Sequence, residues 1–359
     1  MNHNRYAFLD GIRGMAAIFV MTRHTVDYWH LSFYRSYLAV DLFFILSGFV
    51  IAYAYDEKIR TGIITFPKFV LIRLIRLYPV FILSVLISSA LFIGRLTLKH
   101  EIDNTGLLSI LSVVAFTSMF LPSHIAGDNG LFPINGVYWS LFFELVVNFL
   151  YAAIRPVLNN YVLAAIVLGF GFLMVRSSYL NGNLDTGFYW EKASFIAGFA
   201  RSIFGIFLGL LLFRHHSRFK FFLDKPYVAW IAVFAIAIVL GSPSVEGFNW
   251  IIDAISVAVI FPIAVLAASH GKSTKLQGLL VMLGAASYPV YVLHIPVGEI
   301  LAYPIKRTVQ TFAPISGVVL VVILIVLSVW LEKYYDIPLR KRISNYFFKK
   351  DRVVAGKAG

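Results

Sequence analysis

The sequence predicts an all-α, polytopic membrane bundle of about ten transmembrane helices, with one further short or re-entrant apolar segment. Composition is the first observation behind this. Of 359 residues, 59% are hydrophobic and only 14% charged, and the mean hydropathy is +0.80. Soluble domains sit near roughly 45–50% apolar with about a quarter charged. The second is the recurrence of apolar stretches of spanning length. The third is the placement of the net charge of +13. In a membrane protein that excess belongs to cytoplasmic loops rather than to a nucleic-acid surface. The absence of cysteine excludes thiolate catalysis, thiolate metal sites and a disulfide-stapled outer domain.

The apolar stretches fall at 8–27, 37–55, 69–93, 106–121, 137–154, 161–176, 193–213, 227–241, 250–269, 278–302 and 314–333. A spanning helix needs about 20 residues, and 106–121, 161–176 and 227–241 are short. The N-terminus lacks the pattern of a cleaved signal peptide, so the first helix is expected to stay. Lys58, Arg60, Lys68, Arg73 and Arg76 place the loop after the second stretch in the cytoplasm, and with it the N-terminus. Arg214, Arg218, Lys220 and Lys225, then Lys272 and Lys275, mark two further inner loops. The loop 241–249 has no Lys or Arg and reads as outer. The tail, with Arg340, Lys341, Arg342, Lys349, Lys350, Arg352 and Lys357, reads as inner. Both ends inside requires an even number of crossings. The segment 106–121 is the one expected not to cross, because the following loop is uncharged apart from Asp128. This gives one membrane domain over 1–340 and a basic cytoplasmic tail over 341–359. Loops 122–136 and 177–192 are the expected outer elements.

The first stretch, residues 9–29, carries Asp10, Arg13, Arg23, His24 and Asp27 within an otherwise apolar run. Ionisable groups at membrane depth are costly and mark pathways or reaction sites. Arg13 and His24 lie close to three helical turns apart, on one face, separated by about 16 Å. A permanent cation near one surface and a titratable imidazole deeper in suit the handling of a charged or activated group. The competing reading of His24 is a buried histidine bonded to a carbonyl. Arg73 and Arg76 share a helix face and form a phosphate site by type, through bidentate charge-assisted bonds; plain interfacial anchoring is the alternative. Glu144, in Tyr138-Trp139-Ser140-Leu-Phe-Phe-Glu144, sits among aromatics and needs a partner, His24 or an arginine. Asp41 opens a second polar patch reaching Ser47 and Gly48, small residues that permit close helix packing. Ser47 lacks the surroundings of a nucleophile. Ser287, Tyr291 and His294 share a face, as an acceptor-binding surface or a packed polar seam. Arg201 and Asp253 are buried charges in need of partners, each other being one option. No metal constellation, Walker loop or dinucleotide fingerprint stands out.

Taken in order, these stretches resemble the acyltransferase family 3 membrane proteins, which attach O-acetyl or related acyl groups to surface and secreted carbohydrates. The motifs are Leu9-Asp10-Gly11-Ile12-Arg13-Gly14 with His24, Val40-Asp41 to Ser47-Gly48-Phe49, and Arg73-x-x-Arg76 with Tyr78-Pro79. They continue with Trp139-Ser140-Leu-x-x-Glu144, Ser287-Tyr288-x-x-Tyr291-x-x-His294, and Glu332 with Asp336-x-Pro338-x-Arg340. Any one is weak; six in order, from 9 to 340, are specific. The resemblance implies acetyl-CoA as the usual donor, an arginine pair near the CoA, and an essential Arg13/His24 helix. Some relatives carry a C-terminal esterase-like domain; this chain resembles the stand-alone type. Some transfer succinyl instead.

The expected activity is acyl transfer from acyl-CoA to a carbohydrate hydroxyl, in the bacterial inner (plasma) membrane, with both termini cytoplasmic. His24, Glu144 and Arg13 are the catalytic candidates. Arg73 and Arg76 are expected to hold the acetyl-CoA. Asp27, Asp41, Trp139, Tyr291 and His294 are expected to contact substrate, with Asp27 or Glu144 orienting His24. No metal and no nucleic acid are expected, membrane lipids surround the bundle, and homo-oligomerisation is left open. A transporter or flippase of a lipid-linked or small anionic molecule is the alternative, weakened by the lack of an internal repeat. A structural subunit of a polysaccharide assembly would leave the buried charges unexplained.

Overall fold

The computed structural model describes residues 6–31, 33–98, 106–223, 225–272 and 274–355. Residues 1–5 and Lys357 of the basic tail therefore lie outside the described residues. The chain forms α1 (Ala7–His24), α2 (Ala39–Arg60), α3 (Phe66–Leu98), α4 (Leu107–Ser118), α5 (Tyr138–Ile154) and α6 (Asn160–Asn181). It continues with α7 (Lys192–His215), α8 (Pro226–Gly241), α9 (Asn249–Ser269), α10 (Gln277–Ala302) and α11 (Ile315–Leu331). A π turn over Glu332–Asp336 leads from α11 into α12 (Ile337–Ala355). Among the described residues there are helices, turns and two isolated bridges, but no strand.

Among the described residues eight helices are long and apolar enough to cross a membrane, and α2, α3, α5, α6, α7, α9, α10 and α11 lie within them. The other two of the ten expected crossings fall on α1, whose 18 residues include Asp10, Arg13 and Arg23, and on the 16-residue α8, and both fall short of that measure. The 12-residue α4 rises only about 18 Å, against a hydrocarbon core of about 30 Å. It is the segment expected not to cross.

Local chemistry explains several boundaries. The Asn159 side chain accepts from the backbone N–H groups of Tyr161 and Val162, each at 2.9 Å, and so caps α6. Pro226 begins α8, where its missing N–H costs nothing. Pro296, inside α10, cannot donate to the carbonyl of Val292. That carbonyl instead accepts from the Ser84 hydroxyl of α3 and, at 3.4 Å, from the Asn135 amide. A proline gap in one helix thus becomes a polar tie to two other segments.

Two close helix pairs organise the bundle: α1 with α10, and α2 with α7. Both need bare backbone at the crossing. A Cβ on Gly14 would stand 2.5 Å from the Cβ of Leu283, and one on Gly48 would collide with the backbone of Ile206. In lipid, helices associate through such packing and through polar contacts rather than through apolar burial.

The buried charges are paired, but not as expected. Arg201 forms a two-pronged bond to Asp41, at 2.9 Å and 2.6 Å, and also donates to the Thr186 carbonyl. Asp253 is not its partner. It takes Arg35 at 3.1 Å, the Tyr37 hydroxyl at 2.6 Å and the Leu184 N–H at 3.0 Å. Arg35 comes from the short helix before α2, a part of the chain the charge reading did not use. A third network joins Asp56 to Arg155, Arg214 and Tyr151 at the ends of α2, α5 and α7. Each pair ties segments far apart in sequence, which satisfies costly charges and fixes helix positions together.

Candidate active site

Helix α1 runs past two cavities. The first, of ≈ 170 Å³, is lined by Arg13, Ser47, Arg73, Arg76, Glu144 and Tyr288 among others. The second, of ≈ 260 Å³, is lined by Arg23, His24, Tyr37, Trp139, Asp185 and Arg201 among others. Val40 and Tyr291 line both. The spacing of Arg13 and His24 on one helix face therefore puts one residue on each cavity.

In the first cavity, Glu144 accepts from Arg73 at 2.9 Å and from the Ser47 hydroxyl at 2.6 Å. Arg73 keeps a second donor, its Nε, buried and without a hydrogen-bond partner. Arg76 lies 3.5 Å from Asp336, which Arg340 also holds, at 2.5 Å. The arginine pair is thus joined to α5 on one side and to the π turn before α12 on the other. Ser287 lines this cavity too, while its hydroxyl donates to the Gly284 carbonyl.

In the second cavity, Arg23 pairs with Asp185 and lies over the Tyr37 ring, 5.1 Å from its centre. The Arg201 guanidinium lies over Trp139 at 5.2 Å. Asp185 sits in the loop between α6 and α7. Burial raises its carboxyl above the usual carboxylate range, against the pull of Arg23 and Arg201. His24 approaches the Val20 carbonyl through Nδ1 at 2.9 Å, and the same nitrogen lies 3.1 Å from Nε2 of His294. His294 Nδ1 approaches the Val290 carbonyl at 3.1 Å.

Several expected contacts are absent. Glu144 reaches an arginine, not His24, which lines the other cavity. Asp27 does not orient His24 and lines neither cavity. It pairs at the rim with Lys306 at 3.0 Å and Gln310 at 2.7 Å, and the Lys306 bond chiefly lowers its carboxyl pKa. Asp41 is 1% exposed and holds Arg201 rather than facing open space. His294 is fully buried and meets His24 instead of the cavity. Trp139 and Tyr291 do line the second cavity. Tyr291 donates to the Val137 carbonyl at 3.1 Å and meets the Ser140 hydroxyl at 2.6 Å. Sequence reasoning missed Arg23–Asp185 as a pair; the only signal was an acid in a loop already expected to be outer. Among the described residues, no group of three His, Asp or Glu side chains is placed to hold a metal.

A family model described as an acyltransferase domain, that of acyltransferase family 3, matches residues 6–332. The chain is 40% identical over 156 residues to "Protein 2 in picA locus" of Rhizobium radiobacter, covering 41% of this chain and 81% of that protein. It is 23% identical over 358 residues to the O-acetyltransferase OatA of Staphylococcus aureus (strain NCTC 8325 / PS 47), covering 93% of this chain. The chain spans 57% of the length of that O-acetyltransferase. No solved structure matches significantly.

Proposed function

Because the chain belongs to acyltransferase family 3, we propose that it is a membrane O-acyltransferase moving an acetyl or related acyl group from acyl-CoA to a carbohydrate hydroxyl. The observation that carries this reading is that an arginine-lined cavity and an imidazole-lined cavity meet at Val40 and Tyr291. The CoA phosphates lie in the first cavity, open to the cytosol, against Arg73, Arg76 and Arg13. The unpartnered Nε of Arg73 gives an anionic oxygen a donor to meet. The thioester arm passes between Val40 and Tyr291. The acceptor sugar occupies the second cavity, where Trp139 and Tyr291 offer ring surface. The chain lies in the bacterial plasma membrane with both termini in the cytoplasm.

His24 takes the proton of the acceptor hydroxyl. The oxygen attacks the thioester carbonyl, the C–S bond breaks, and the proton returns to the departing thiolate. General-base help of this kind is worth about 10²–10⁴ in rate. The test is release of free CoA by the purified protein in membranes given acetyl-CoA and a glycan acceptor. His24→Ala should lose at least about 100-fold while remaining in the membrane. A transporter would release no CoA, and full activity in His24→Ala would end this reading.

A further inference from the structure

We propose that His294 is a positioning residue for His24: it fixes the tautomer that leaves the Nε2 of His24 free as the base. This rests on the acyl-transfer reading above and adds a second histidine to it. Nδ1 of His24 faces the Val20 carbonyl at 2.9 Å and Nδ1 of His294 faces the Val290 carbonyl at 3.1 Å. A carbonyl oxygen only accepts, so both Nδ1 atoms carry the proton. In the neutral ring Nε2 of His294 is then a lone pair, 3.1 Å from the proton-bearing Nδ1 of His24. That proton is shared between the Val20 carbonyl and His294, and the Nε2 of His24 is left unprotonated on a ring that lines the second cavity. The rings lie 5.1 Å apart, centre to centre, with 37° between their planes.

The fold builds this meeting. The two residues are 270 apart in sequence. They are brought together by the close crossing of α1 and α10, helped by the Tyr28 hydroxyl, which donates to the Gly298 carbonyl at 2.7 Å. His294 is fully buried, so water does not compete for its Nε2. When Nε2 of His24 accepts the acceptor's proton, the ring becomes an imidazolium. Its Nδ1–H bond to His294 becomes charge-assisted and stronger. His294 thus stabilises the charge that forms in the transition state and gives up no proton. When the thiolate leaves, the proton at Nε2 passes to sulfur and both rings are neutral again. The other charged and titratable groups lining the cavity are Arg23 from α1, Tyr37, Asp185, Arg201 from α7 and Tyr291 from α10.

The test compares His294→Leu, His294→Gln and His294→Asn in the full chain in membranes. The Gln amide oxygen reaches the place of Nε2 and can still accept; the Asn oxygen lies where Nδ1 lay and cannot. His294→Leu and His294→Asn should lower kcat by about 10- to 100-fold, the cost of a lost bond to a charged group, with both KM values unchanged. The acid limb of their kcat/KM profile should move to lower pH, because the imidazolium has lost its acceptor. His294→Gln should stay within several-fold of the parent protein. Asn as active as Gln, or a fall in kcat with the acid limb unmoved, reduces His294 to packing and overturns the proposal. An inactive His24→Ala beside a fully active His294→Leu would sink only this inference. An active His24→Ala would sink the acyl-transfer reading itself.

Discussion

Val40 on α2 and Tyr291 on α10 each line both cavities. Tyr291 is held there by the Val137 carbonyl and Ser140 of α5. On the acyl-transfer reading proposed above the donor's arm crosses at these two residues, so the size of the aliphatic one matters. Val40→Phe adds a ring where the proposed path of the thioester arm lies. It should cut turnover by at least about 10-fold, as misplacement of reacting groups does, and leave binding of free CoA unchanged. Isothermal titration with CoA, run beside the CoA-release assay, checks both halves.

Arg73 is expected to act on the donor alone. Arg73→Ala removes bonds to an anionic group, each worth about 1.5–3 kcal/mol. The KM for acetyl-CoA should rise about 10- to 150-fold by the same arithmetic, with little change in the acceptor KM. Ser47 and Arg73 share one oxygen of Glu144, so Glu144→Gln keeps an acceptor for both but removes the negative charge beside Arg73, and its effect should fall on the same donor KM.

Arg201 and Asp41 are each 1% exposed. Removing one partner strands the other charge in the bundle, at a cost of about 3–5 kcal/mol. Asp41→Leu or Arg201→Met should lower the unfolding midpoint in detergent sharply. The double variant should recover much of that loss, since no charge remains to be satisfied. Equal loss in single and double variants would mean that the Trp139 stack, not the ion pair, holds this region.

Helix seams separate two kinds of glycine. Gly14→Val should abolish folded protein, because its Cβ meets Leu283 at 2.5 Å on a helix with no room to retreat. Gly94, also helical, has nothing within 4 Å of the corresponding position. Gly94→Ala should be neutral or stabilise by about 0.5–1 kcal/mol. Size-exclusion profiles of the two variants in detergent give the comparison directly.

Composition and charge order alone determined that this chain is a helical membrane bundle, because the bilayer demands about 20 apolar residues per crossing and sorts Lys and Arg between loops. Loop charge and the parity of crossings also singled out the segment of α4 as the one not to cross, and periodicity put Arg13 and His24 on one face, since it is a local property. Which charges meet was decided only by tertiary structure. Arg201 takes Asp41 because the α2–α7 crossing, set by bare backbone at Gly48, brings them together, while Asp253 of α9 takes Arg35 from the short helix before α2. Helix crossings also divide Glu144 from His24 and give the imidazole a buried histidine as its neighbour. No spacing rule spans 270 residues; only the packed α1–α10 seam does.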